Sequence, residues 1–338
     1  MSGVTLRSFA KINLGLRIGA LREDGFHELR TVYQTIGLHD LVRVEAGRGV
    51  GIELRANHTR VPLDESNTGY RMAERVLRSL KVRAKVTIHI EKQLPVEGGL
   101  GAASSNAVAV MLGLERALRR EIPAEHKLRL AAEVGSDVPL FLVGGMVLGM
   151  GRGEEVYPLE DFTPLDCVVA TPATGVPTAQ AFRDWDELQS ENLSRTRMSA
   201  SHNAGGKLTA ECASDTIKMF SHSVFSWLRG TSTGVSARGG DRAEALLLDL
   251  VRAGIENDFE SVVFPRYPAI REVKRVLERS GVRYASLSGS GSTVYGLFDN
   301  AAAAAQAVRK LNDTGVPAQT TVTLPRTKYW KELFPSKL

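Results

Sequence analysis

A chain of 338 residues is too long for one small core and calls for two domains, at roughly 100–200 residues each. Hydrophobic residues make up 43% and charged residues 24%, an ordinary globular balance, and no apolar run approaches the roughly 20 residues that span a bilayer. A net charge of +5, from 43 basic and 38 acidic side chains, steers anionic ligands, but without an aromatic-interleaved basic patch it gives no nucleic-acid binder; two distant cysteines, Cys167 and Cys212, give neither a disulfide framework nor a zinc site.

The N-terminus carries no basic-then-apolar leader, since Lys11 and Asn13 interrupt residues 10–16, and a cytoplasmic protein without membrane partners is expected. Residues 6–18 read as two short strands broken around 10–13. Lys11 and Asn13 share one face, opposite Ile12 and Leu14, as a solvated face or as the wall of a cleft. Asp24-Gly25 marks a turn that presents Phe26 and His27. That pair either packs on a neighbouring strand or offers a planar base a stacking platform and an imidazole. Residues 41–46 and 51–55 read as a hairpin. Met72, Val76 and Leu80 then mark an amphipathic helix over 68–80, capped by Ser66 or Asn67.

The strongest local signal follows. Val86, Ile88 and Ile90 alternate as a strand over 85–91, and helical spacing resumes with Val108, Leu112, Leu114 and Leu118. Between them runs Pro95-Val-Glu-Gly98-Gly99-Leu100-Gly101-Ala102-Ala103-Ser104-Ser105-Asn106-Ala107. Glycines there let backbone N–H groups approach an anion, and the first helical turn turns its partial positive charge toward it; ordinary turns use the same residues. Ser104 and Ser105 add hydroxyls that could cap the helix, bond a phosphate or meet a metal ion.

Pro123 opens another helix that stops at Gly135. Asp137, in Gly135-Ser-Asp-Val-Pro139, either caps a new helix or stands as a general base beside a cleft. Residues 146–159 read as strand, glycine turn, strand, and 166–171 as a buried run holding Cys167. If Thr178 begins a helix, Thr178 and Phe182 share a face. Residues 184–214, rich in Ser, Asn, Gly and charge, read as a long loop or a partly disordered insertion, 217–228 as a short helix, 230–240 as a flexible run and 246–251 as helical. A helix over 268–277, strands over 284–287 and 294–298, a helix over 301–311 and a strand over 319–324 make a β–α–β–β–α–β-like unit. Ser288-Gly289-Ser290-Gly291-Ser292-Thr293 links the adjacent strands, as a plain hairpin turn or as backbone brought close to a ligand.

These stretches together resemble the GHMP kinase superfamily, through Ala10-Lys11-Ile12-Asn13-Leu14, Asp24-Gly-Phe-His-Glu-Leu29, Pro95 to Ala107, Ser136-Asp137-Val-Pro-Leu-Phe141, Asn257-Asp258 and Leu287 to Thr293. The turn at 24–29 and the Val176-Pro-Thr178-x-x-x-Phe182 segment are most similar to the branch whose acceptor is a cytidine diphosphate derivative of methylerythritol. The resemblance implies an α+β two-domain fold. An N-terminal domain like ribosomal protein S5 (1–160) would meet a C-terminal ferredoxin-like α/β sandwich (161–325, with a polar insertion around 184–240), followed by a tail (326–338). The active site would lie in the cleft between them. It also implies ATP as co-substrate, Mg²⁺ accompanying it without a dedicated protein metal site, and a small-molecule acceptor bound by a monomer or weak homodimer.

By the same resemblance, the ATP phosphates would lie on Pro95, Gly98, Gly99, Leu100, Gly101, Ala102, Ala103, Ser104 and Ser105, with Asn67 near the adenine. Phe26, His27 and Phe182 would hold the cytosine, Asn13 and Thr178 would lie nearby, and Gly289, Ser290 and Gly291 would border the acceptor. Asp137 would take the proton of the acceptor hydroxyl, and Lys11 would offset charge on the transferring phosphoryl group. Two other readings predict differently. A GHMP kinase for a non-cytidyl alcohol would not need Phe26, His27 or Phe182, and a nucleotide-binding regulator would not need Lys11 and Asp137. The chain departs from the family at Ala102 and Ala103, where glycine is usual, and at Phe26, where tyrosine is usual. If Ala102 or Ala103 needed a positive φ, its β-carbon would cost on the order of 1 kcal/mol and shift the loop.

Overall fold

A computed structural model describes residues 3–96, 98–200 and 256–335. The helices expected within 217–251, the run 230–240 and Cys212 lie outside the described residues. Two long strands form the spine. β1 (Val4–Leu21) and β2 (His27–Gly47) pair antiparallel along nearly their whole length. Residues 6–18 therefore belong to one strand; irregularities in register at Phe9/Ala10 and Asn13/Gly15 produce the break read from the sequence.

The other edge of β2 is shared. Its C-terminal half pairs with β4 (Lys85–Glu91) and its N-terminal half with β5 (Met146–Met150), which in turn pairs with β6 (Glu155–Pro158). β3 (Gly51–Ala56) pairs parallel to β4 rather than with β2. The expected hairpin over 41–55 is thus incorrect. After β3 the chain crosses over through α1 (Thr68–Leu80), and β4 inserts between β2 and β3. α2 (Ala102–Leu118) is buried on nearly every side, as suits a helix packed between the sheet and α1. α3 (Ala124–Val134) follows, with Pro123 at its N-cap.

The C-terminal sheet contains β7 (Asp166–Ala170), β8 (Tyr284–Leu287), β9 (Val294–Phe298) and β10 (Ala318–Val322) in the antiparallel order β10-β7-β9-β8. With α4 (Thr178–Ala200), α5 (Glu260–Arg266), α6 (Pro268–Glu278) and α7 (Ala301–Asp313) this is the ferredoxin-like arrangement. α4 corrects the loop expected from residue 184. Its Phe182, Trp185 and Leu188, at helical spacing, pack on the C-terminal core, so composition masked an apolar stripe.

One of the hydrophobic clusters joins the two sheets. Ala10, Ile12 and Leu14 of β1 meet Cys167, Val169, Tyr295 and Leu297, and the alternation of β1 turns Lys11 and Asn13 the other way. Residues 326–335 are no loose tail. α8 (Arg326–Leu333) returns to the N-terminal sheet, where Tyr329 is buried against Phe9 and its hydroxyl donates to the carbonyl of Phe141 at 2.7 Å. Among the described residues no helix is long and apolar enough to cross a membrane.

Candidate active site

The glycine loop and the Ser288–Thr293 turn meet at Lys11. Its backbone N–H donates to the carbonyl of Leu100 at 3.0 Å, fixing β1 to the glycine loop. Gly101, at φ +69°, leaves room beneath the loop for the lysine stem, since a β-carbon there would stand 3.0 Å from Lys11 Cγ. Across the cleft, a β-carbon on Gly289 would lie 3.6 Å from both Lys11 Nζ and Asn13 Oδ1. The loops are joined directly: Ser288 Oγ donates to the carbonyl of Gly99 at 2.9 Å, and the Thr293 N–H to that of Gly98 at 3.3 Å.

Lys11 Nζ donates to Asn13 Oδ1 at 2.6 Å and stands 3.4 Å from Asp137 Oδ2. The lysine side chain is 4% exposed and the aspartate 32%, so the pair opens toward the cleft on the carboxylate side. Asn13 is itself oriented, because its Nδ2 donates to Thr31 Oγ1 at 2.7 Å. Asp137 is not a helix cap: the short 3-10 turn Pro139–Leu142 begins after Val138 without a side-chain cap. Its Oδ1 accepts a hydrogen bond from the Tyr33 hydroxyl at 2.9 Å. Burial, and then the adjacent carboxylate, push the Tyr33 phenol well above its ordinary range, which keeps it a donor. Sequence reasoning missed Tyr33. It lies directly opposite Asn13 across the β1–β2 pair, and that register is invisible in the sequence.

On the other side of Lys11 a cavity of about 290 Å³ is lined by Asn67, Pro95, Gly98 to Ala103 and Ser104. Gly99 and Gly101 have positive φ, whereas Ala102 and Ala103 are the first residues of α2. The two alanines therefore take helical backbone and impose no strain on the loop. Gly101 caps α2 without a side chain and no acidic residue sits in the first turn, which leaves the helix amides available to an anion. One expectation changes. Ser105 is buried at 2% exposure and does not line the cavity, because one residue further along the helix turns inward. Asn67 does line it, but its amide is engaged: Oδ1 caps α1 by accepting from the Gly69 N–H, and Nδ2 donates to the Pro62 carbonyl. These two bonds fix the orientation of the Asn67 amide on the wall and leave it one further N–H and one further lone pair. Among the described residues no three His, Cys, Asp or Glu side chains gather into a cation site.

The aromatic residues gather at the far end of β1. His27 and Phe182 lie face to face, with ring centres 5.2 Å apart and planes 8° from parallel. His27 Nδ1 is 3.2 Å from the Gly19 carbonyl oxygen and its Nε2 is 3.1 Å from Asp186 Oδ1. Thr178, Phe182 and Asp186 thus form an i, i+4, i+8 row on α4, and Thr178 Oγ1 lies 2.9 Å from Ser290 Oγ. Asp186 was missed although the same spacing pointed to it. Phe26, by contrast, stands 51% exposed on its turn, with the Arg152 guanidinium 5.0 Å from its ring centre. A β-carbon on Gly291 would face Leu287, and its carbonyl packs beside Gly99 of the glycine loop.

A family model described as the GHMP kinases N terminal domain matches residues 67–145, and one described as GHMP kinases C terminal matches residues 243–317. A protein of Solibacter usitatus named 4-diphosphocytidyl-2-C-methyl-D-erythritol kinase is 38% identical over 310 residues, 91% of this chain and 85% of that protein. One of the same name from Acaryochloris marina is 33% identical over 301 residues, 89% of this chain and 88% of its own length. A crystal structure of 4-(cytidine 5'-diphospho)-2C-methyl-D-erythritol kinase superposes with a TM-score of 0.66 at 28% identity, covering 94% of this chain and 98% of that one. Homoserine kinase from Cytophaga hutchinsonii, at 19% identity and a TM-score of 0.66, shares the fold. With a glycine loop, a lysine–aspartate pair and a Gly-Ser-Gly turn closing on one cleft, and relatives matching over most of its length, the chain belongs to the GHMP kinases, in the family of the 4-diphosphocytidyl-2-C-methyl-D-erythritol kinases.

Proposed function

We propose that the chain transfers the γ-phosphoryl group of ATP to the 2-hydroxyl of 4-diphosphocytidyl-2-C-methyl-D-erythritol. The observation that carries this reading is the Lys11–Asp137 pair, 3.4 Å apart between the glycine loop and the Gly289 turn. Asp137 takes the hydroxyl proton as the acceptor oxygen bonds to the γ-phosphorus and the bond from that phosphorus to the ADP oxygen breaks. Lys11 faces the charge carried by the transferring group, and the amides of the 98–104 stretch hold the triphosphate. A magnesium ion would arrive with the triphosphate and offset its charge. The Ser104 hydroxyl on the cavity wall is the contact this chain offers it.

The acceptor's cytosine would lie at the Phe26, His27 and Phe182 cluster, near Thr178. Since His27 and Phe182 already stack on each other, Phe26 is the platform that remains half exposed. The decisive test supplies the purified chain with ATP, Mg²⁺ and 4-diphosphocytidyl-2-C-methyl-D-erythritol. ADP and the 2-phosphorylated product are expected in equal amounts. Turnover of a different alcohol with none of this acceptor would overturn the reading.

A further inference from the structure

Asp40, on β2, lies outside the site just described and is 0% exposed, yet its carboxylate gathers four donors. The backbone N–H groups of Gln93 and Leu94 each donate to Oδ1 at 2.8 Å. Lys92 Nζ donates to Oδ2 at 2.9 Å and to Oδ1 at 3.1 Å, and Asn106 Nδ2 donates to Oδ2 at 3.2 Å. These donors come from the two ends of one loop. Residues 92–94 lead into the glycine stretch from β4, and Asn106 lies on α2, which leads out of it. The orientation of the Asn106 amide is forced, because turning it round would set its oxygen against the carboxylate.

The Lys92 side chain is 5% exposed, and both Lys92 and Asn106 border the cavity beside the loop. A buried ion pair of this kind adds little to stability relative to apolar side chains of the same size, but it holds its partners in one geometry. Between the anchored ends the backbone passes through positive φ at Gly99 and Gly101. Where such a loop points its amides therefore depends on where its ends are fixed.

We infer that Asp40 is a positioning residue: it ties the strand entering the glycine loop to the helix leaving it, and so aims the loop's amides at the nucleotide phosphates. The inference rests on reading that loop as the ATP site. It predicts a loss that follows the phosphates rather than the base.

In the full chain, Asp40→Asn keeps an acceptor for Gln93 and Leu94 but turns an NH₂ group toward Lys92 or Asn106. The Kd for ATP is expected to rise at least tenfold, while the Kd for adenosine and the KM for the acceptor stay within twofold. Parallel weakening of ATP and adenosine, or an unchanged ATP affinity in the folded variant, would overturn the inference. Should Asp40→Asn not fold, Asn106→Ala cuts only the α2 side. A threefold or larger loss confined to ATP is then expected, and equal ATP affinity counts against the clamp. The Kd values for ATP and adenosine are read without acceptor and decide the inference by themselves, so a wild-type chain that binds ATP but leaves the acceptor unphosphorylated sinks only the proposed function.

Discussion

Asp137 is held from two sides, by Lys11 at 3.4 Å and by the Tyr33 hydroxyl at 2.9 Å, and the two contacts do different work. In the proposed reaction the lysine supplies charge next to the reacting groups. The phenol, protonated throughout the working range because burial and Asp137 both push it up, fixes the direction of one carboxylate oxygen and leaves the other toward the cleft. Replacing Asp137 with Asn removes the proposed base, and kcat is expected to fall by about two orders of magnitude or more. Near-normal turnover in that variant would end the assignment. Tyr33→Phe keeps the ring beside Lys11, whose Nζ is 5.6 Å from its centre, and removes only the hydrogen bond. A hydrogen bond to a charged group is worth about 1.5–3 kcal/mol, so a kcat loss of about tenfold or more is expected, with KM for ATP unchanged. Steady-state kinetics on both variants separate proton transfer from positioning.

At the scale of elements, the glycine loop depends on which of its small residues need left-handed backbone. Gly99 does, at φ +76°, and a β-carbon there would also collide with the carbonyl oxygen of Ser288 in the opposite loop. Ala102 and Ala103 do not, because α2 has already begun. Gly99→Ala is therefore expected to raise the KM for ATP at least tenfold, whereas Ala102→Gly should leave it within twofold; the reverse order would show that the alanines, not the glycine, set the loop. The loop between a strand and a helix was legible in the sequence, since both flanks announce their periodicity and glycine marks the gap. The positive-φ positions were not, because the groups packed against them are distant in sequence: the Ser288 carbonyl at Gly99, Lys11 and Phe141 at Gly101. The same limit explains the false hairpin at 41–55. Two alternating runs across a short glycine-bounded gap look paired, and only the non-local insertion of β4 separates them. Thr178 and Phe182 could be found by spacing, but Tyr33 required the β1–β2 register and the Asp40 contacts required three elements at once.

Across the whole molecule, the chain's last helix supports the segment that carries the aspartate. α8 follows the C-terminal sheet in sequence but packs on the N-terminal one. Tyr329 Oη donates to the Phe141 carbonyl, Trp330 Nε1 to that of Val143 at 3.0 Å, and Arg326 to those of Gly144, Met146 and Leu159. Gly144 is packed so closely on the Tyr329 ring that no β-carbon fits between them. Asp137 lies four residues before Phe141, so whatever anchors the 3-10 turn also anchors the direction from which the carboxylate enters the cleft. Removing this ring leaves a cavity against Phe9 and an unpaired buried carbonyl. By analogy with other large aromatic truncations, Tyr329→Ala is expected to cost about 3–5 kcal/mol in urea unfolding. Tyr329→Phe keeps the packing and loses only the hydrogen bond, which puts its cost near 1 kcal/mol. If α8 steadies Asp137 as well as the fold, Tyr329→Phe lowers kcat measurably while the KM for ATP holds, because the glycine loop is anchored independently through Asp40 and Ser288. A Tyr329→Ala variant within 1 kcal/mol of wild type would place α8 outside the cooperative core. The return of the chain to its first domain would then be incidental to the site.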